Sequence, residues 1–116
     1  MNLANYVGGR WIEGGGEGTP LIDPVLGTEL ARASTQGIDF AAALAFARGT
    51  GGPALRAMNF AERATMLGKI AEALQANRDA YGEIALANSG NTKADAAIDI
   101  DGAIGTLRYY ARAPGP

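Results

Sequence analysis

The chain of 116 residues has neither cysteine nor histidine. That absence excludes disulfides, zinc sites of the usual kind, thiol nucleophiles and any relay pairing a hydroxyl or thiol with histidine. A free-standing hydrolase built on triad logic is excluded with them. No run of Lys or Arg exists and the net charge is −2. A phosphate backbone would therefore find no electropositive stripe, and nucleic acid is not an expected partner. Nowhere do 18 apolar residues follow one another, and Met1-Asn2-Leu3-Ala4-Asn5-Tyr6 carries neither a basic leader nor an apolar stretch. The expectation is a soluble, cytoplasmic protein with no membrane partner.

Large aliphatic side chains are also scarce. Leu, Ile, Val and Phe together number 23, against 24 alanines. The length is that of one domain, and area scaling lets about 65% of its surface be buried. Burial stabilises in proportion to apolar area, however, and alanine contributes little of it. So thin a core is that of an element packing against something larger.

What is present divides into a β region over 1–36 and a helical region over 37–116. Asn5 to Ile12 carry aromatic and β-branched residues around a Gly pair, as a strand or hairpin arm does. After Gly14-Gly15-Gly16-Glu17-Gly18, the segments Leu21-Ile22 and Glu29 to Ser34 read as strands. Asp23-Pro24 starts the turn between them, and Gly27 is suited to positive φ. From Asp39, an N-cap, the period becomes helical, with Gly49 as the expected C-cap. Pro53 starts a short helical turn through Met58. Asn59-Phe60-Ala61-Glu62 has the form of a capping box. Behind it Phe60, Ala64, Leu67, Ile70, Ala71 and Leu74 fall at helical spacing, and the helix continues or restarts through Tyr81, Ile84, Ala85 and Ala87 until Gly90. A last helix, Lys93 to Arg112, places Ala97, Ile100, Ile104, Leu107 and Ala111 on one face before Ala-Pro-Gly-Pro ends it.

Three motifs bear on chemistry. Gly49-Thr50-Gly51-Gly52-Pro53-Ala54 has dinucleotide-fingerprint spacing, but that fingerprint needs a strand before it, and here a helix precedes. A loop between helices is the expected reading. Asp95, Asp99 and Asp101 could share a proton or a cation, yet no further ligand accompanies them, and acidic residues early in a helix favour its dipole. No metal site is expected. Gly102 and Gly105 each cost about 1 kcal/mol against Ala inside a helix. Close approach of another helix explains such glycines, and so does room left for a ligand. The adjacent Tyr109 and Tyr110 point about 100° apart, so at most one faces the main core.

In order, these pieces resemble the opening segment of the aldehyde dehydrogenase superfamily over essentially the whole chain. Tyr6-Val7-Gly8-Gly9-Arg10-Trp11 is similar to its first strand. Asp23-Pro24 with Leu26-Gly27-Thr28-Glu29 resembles its Asn-Pro turn. The helix around Ile38 to Ala43, then Glu62-Arg63-Ala64 with Leu67, Lys69-Ile70-Ala71 and Leu74, follow where the family has its early helices. Asn88-Ser89-Gly90 stands in place of Glu-Thr-Gly, a departure in which Asn88 replaces the carboxylate and any cation or hydrogen-bond role of that carboxylate is not carried over. Leu107-Arg108-Tyr109-Tyr110-Ala111 resembles its Arg-Tyr-Tyr-Ala helix end. Pro53 to Met58 and Ile98 to Leu107 are similar to a narrower group that oxidises CoA-linked semialdehydes in aerobic phenylacetate and benzoate breakdown, some members carrying a fused hydratase domain.

The resemblance implies an α+β fold: a β-hairpin region followed by four or five helices, without the family's Rossmann sheet or catalytic domain. It implies oxidation of an aldehyde to the acid by a cysteine thiolate, with NAD or NADP taking the hydride and a Glu-activated water releasing the product. Those groups lie later in the family's chains. The chain is thus expected to bind no cofactor, to be inactive alone, and to have as partners the remainder of an aldehyde dehydrogenase chain, homo-oligomeric at full length. What the resemblance carries over is the last helix, where Ile98 and Gly102 match positions lining the substrate tunnel; a Gly there would widen it for a bulky substrate. The competing expectation is a non-catalytic helical interaction module derived from the same scaffold.

Overall fold

The computed structural model describes residues 1–113, so the closing Pro/Gly stretch lies outside the described residues. Two compact units divide the chain, Met1–Ala54 and a second beginning at Leu55.

The first unit is built from two antiparallel hairpins. Strands β1 (Ala4–Val7) and β2 (Arg10–Glu13) pair with Tyr6 opposite Trp11. The two residues between them, Gly8 and Gly9, have φ of 60° and 80°. Tight hairpin turns require positive φ at both central positions, which is why a Gly pair sits there. Strands β3 (Thr19–Ile22) and β4 (Glu29–Ala33) form the second hairpin, with an irregularity between Leu21 and Ile22. Their connection is organised by Asp23. It is buried, and its Oδ1 accepts from the backbone N–H groups of Val25 (2.8 Å) and Leu26 (2.9 Å). This is the Asx turn that an Asp-Pro start favours, and Gly27 takes positive φ as expected.

Asn5 ties the hairpins together, its Nδ2 donating to the Ser34 carbonyl at 2.9 Å. The chain start runs along β4, Leu3 N–H donating to Arg32 O and Arg32 N–H to Met1 O. Arg32 grips Glu29 through Nε and Nη2 at 2.8 and 2.9 Å. That hydrogen bonding holds the Glu29 carboxyl below its ordinary range.

Helix α1 (Phe40–Phe46) begins where Asp39 accepts from Ala42 N–H. Gly49 does not end it. The helix widens into a π-helical turn, Ala47–Gly51, and runs on into α2 (Gly52–Ala57), within which the division between the units falls. Pro53 stands at the second residue of α2, where it supplies no backbone N–H to the run.

The second unit contains α3 (Phe60–Ala76), α4 (Arg78–Ser89) and α5 (Lys93–Arg112). The capping box is complete, Asn59 Oδ1 accepting from Glu62 N–H at 2.9 Å and Glu62 Oε2 from Asn59 N–H at 2.8 Å. Asn77 separates α3 from α4, and Gly90, at φ 69°, ends α4 in a left-handed cap. Thr92 starts α5 by accepting from Asp95 N–H.

α5 packs against both α3 and α4. Its buried side chains are Ala96 and Ile104, and Ala71 is the buried residue of α3. A Cβ added to Gly68 would stand 3.8 Å from that of Ala111. Small residues thus let α3 and α5 approach closely, in antiparallel sense. The helical face read from the spacing is shifted: Phe60, Ile70, Tyr81 and Ile84 are exposed, while Ala64, Leu67, Gly68, Ala71 and Leu74 turn inward. The α+β class, with two hairpins followed by helices, stands as expected. Among the described residues, no helix is long and apolar enough to cross a membrane.

Candidate functional site

α5 has two faces, and the functional candidates lie on the outer one. Ala96, Ile100, Ile104, Leu107 and Ala111 turn toward α3 and α4. Ile98, Gly102, Gly105 and Tyr109, four or three residues apart, share the opposite side because a helix repeats every 3.6 residues. Ile98 and Tyr109 are each 68% exposed. A Cβ built on Gly102 or Gly105 meets no atom within 4 Å. Among the described residues of this unit, no neighbouring helix stands close enough to explain these glycines by packing. Tyr109 and Tyr110 touch each other edge to face, ring centroids 5.2 Å apart, and neither is buried.

The face is held in place from behind. Arg78, at the start of α4, donates from Nε and Nη2 to the two carboxylate oxygens of Asp101 at 2.6 and 2.7 Å. This two-pronged pair fixes the middle of α5 against α4. The hydrogen bonds lower the Asp101 pKa and raise that of Arg78. Arg108 reaches Gln75 Oε1 of α3 at 3.3 Å.

The other sequence candidates are absorbed by structure. Asp101 is taken by Arg78, and Asp95 accepts from the Thr92 hydroxyl at 2.8 Å. The three aspartates do not converge, and no group of three potential metal ligands exists among the described residues. Gly49 to Ala54 lie within helix, where Gly52 N–H donates to Ala47 O. Neither the preceding strand nor a free helix start is there to meet a diphosphate, so these residues do not fit a dinucleotide. Asn88 turns back on its own helix, Nδ2 donating to Ile84 O at 2.8 Å. Spacing did not reveal the Arg78–Asp101 pair, whose partners stand 23 residues apart; an i, i+4 pattern only finds partners on one helix.

Comparison with known proteins places this scaffold. The model of the aldehyde dehydrogenase family matches residues 11–115. The chain belongs to that family. It is also 58% identical over 113 residues to a 3,4-dehydroadipyl-CoA semialdehyde dehydrogenase from Aromatoleum evansii, a match covering 97% of this chain. The chain spans 22% of that relative's length. Ile98 and Gly102 both lie on the outer face of α5.

Proposed function

We propose that this chain is the N-terminal part of an NAD(P)-dependent aldehyde dehydrogenase that oxidises a CoA-linked semialdehyde to the acid, and that its own role is structural. The observation that carries this reading is the 58% identity to a 3,4-dehydroadipyl-CoA semialdehyde dehydrogenase over nearly the whole chain. The chemistry agrees with a division of labour. Aldehyde oxidation of this kind needs a thiolate nucleophile, and this sequence has no cysteine. The nucleophile and the nicotinamide, which accepts the hydride, belong to other segments, and the chain alone is inactive. Its partners are the rest of the aldehyde dehydrogenase and, at full length, further copies in a cytoplasmic homo-oligomer.

The contribution we assign to this segment is one wall of the substrate passage, formed by Ile98 and Gly102. Their exposure and the open space beside Gly102 support that assignment. A chimera tests it: residues 1–113 replace the matching segment of the Aromatoleum enzyme, and nicotinamide reduction is followed with a CoA-linked semialdehyde. Activity is expected. In the same chimera, Gly102→Met is expected to lower kcat/KM for the bulky substrate relative to a short aldehyde. A folded but inactive chimera overturns the reading in favour of a helical interaction module, and unchanged selectivity overturns the role of Gly102.

A further inference from the structure

The last turns of α5 carry a second feature that a passage wall does not require. Gly105, Arg108, Tyr109, Arg112 and Ala113 line a groove of about 460 Å³. Arg108 and Arg112 stand one turn apart on its rim. Among the described residues, neither forms an ion pair with a carboxylate. Arg108 is half-buried and, among the described residues, has the neutral Gln75 amide as its side-chain partner. A second groove of this unit differs. It is lined by Arg78, Asp79, Glu83 and Lys93 among others, and Arg78 there is already paired with Asp101. Its charges cancel, whereas those of the α5 groove do not.

Two guanidiniums in the last turns of a helix have an ordinary explanation, since cations favour the negative end of the dipole. That end carries only about half a negative charge, so two cations exceed it and leave a net positive site. Guanidinium groups match phosphate oxygens in geometry as well as charge. Tyr109 adds an aromatic face on the same rim, suited to a flat heterocycle.

We propose that this groove binds the nucleotide end of a coenzyme A thioester, Arg108 and Arg112 receiving its phosphates and Tyr109 its adenine. The inference rests on the reading of the substrate as CoA-linked. The groove shares Gly105 and Tyr109 with the outer face of α5. A carrier anchored at Arg112 extends its arm along Gly105 and Gly102 toward Ile98, about 20 Å away at 1.5 Å per residue. Carrier recognition and passage wall are then two ends of one helix face.

Calorimetric titration of free coenzyme A into the chimera described above tests the site without requiring turnover, after circular dichroism has shown each variant folded. Saturable binding at one site is expected, weakened about tenfold by Arg112→Gln, since a hydrogen bond to a charged group contributes on this scale. Arg112 is exposed and, among the described residues, forms no ion pair, so it is the leading variant; Arg108→Gln also loses the Gln75 contact and serves only as a companion. Inorganic diphosphate should compete weakly through Arg112, and dephospho-coenzyme A, which lacks the 3′-phosphate, should bind more weakly than coenzyme A. Coenzyme A affinity that ignores Arg112→Gln overturns the site. A chimera active on the CoA-linked aldehyde yet indifferent to Arg112→Gln overturns this inference and leaves the proposed function standing. An inactive chimera that still binds coenzyme A through Arg112 does the reverse.

Discussion

At the scale of single residues, the helical unit depends on very few side chains. Ile104 is the one large side chain fully buried among the described residues, at 2% exposure, and the other buried apolar positions are alanines. Ala31, Ala71 and Ala96 bring backbones together but bury little area, and stabilisation follows area. Ile104→Ala is therefore expected to cost about 2–5 kcal/mol, as removal of a buried Ile side chain typically does. That is a large share of the 5–15 kcal/mol typical of a whole domain. The urea midpoint of the helical signal is the measurement, and a change smaller than that of an exposed control such as Ile98→Ala would place the core elsewhere. Asp23 illustrates the converse, a buried polar residue that is cheap to keep because its carboxylate oxygen accepts two backbone N–H groups.

At the scale of elements, local signals in the sequence translated directly and non-local ones did not. The Asp39 and Asn59 caps, the Gly90 stop and the extent of α5 were legible from signals between residues within four positions of one another, whereas Asn5 to Ile12, read as one strand or hairpin arm, turns back on itself at Gly8–Gly9. The end of α1 was not legible either. Gly49 is a reasonable C-cap, but Gly only permits the left-handed conformation, and the chain here continues as a π-helical turn into α2. The facing of α3 and α4 was read partly wrong for a different reason. Phe60, Ile70, Tyr81 and Ile84 are large and apolar, so spacing assigned them inward, whereas the close α3–α5 approach selects the small Gly68 and Ala71. Periodicity identifies an apolar stripe without saying which partner covers it.

The Arg78–Asp101 pair, invisible in the sequence, links α4 to α5 and gives this packing a pH dependence. Hydrogen bonding from Arg78 depresses the Asp101 pKa in the folded state. A depressed carboxyl stabilises the fold above its unfolded value, and that contribution is lost as pH falls through the folded one. Helix content is thus expected to hold from neutral pH to about pH 5 and to decline below about pH 4, where an unperturbed Asp is already protonating. Asp101→Asn should be less stable at neutral pH, with the two proteins converging in acid. Parallel pH profiles by circular dichroism would show that the pair contributes nothing to the docking of α4 on α5.

At the scale of the molecule, the two units show the same imbalance. The first buries Ala31 and Asp23 while leaving Tyr6, Trp11, Val25, Leu26 and Phe40 exposed. The second buries Ala71, Ala96 and Ile104 while leaving Phe60, Ile84, Ile98, Tyr109 and Tyr110 exposed. Scarcity of large aliphatics announced this outcome in the composition. The chain spans 22% of the length of its relative, and the proposed reading assigns these exposed apolar faces to contact with the rest of an aldehyde dehydrogenase. What the sequence did not announce is which faces these are, since that depends on which side of each helix the small residues turn inward.

The most direct test of this account is the thermal unfolding of the isolated 116-residue chain, followed by far-ultraviolet circular dichroism with its size checked by gel filtration. A segment that borrows its core from the rest of an aldehyde dehydrogenase should melt over a broad range with weak cooperativity, or associate through its exposed faces. A single sharp transition from a compact monomer would contradict the account and mark the chain as a self-sufficient module.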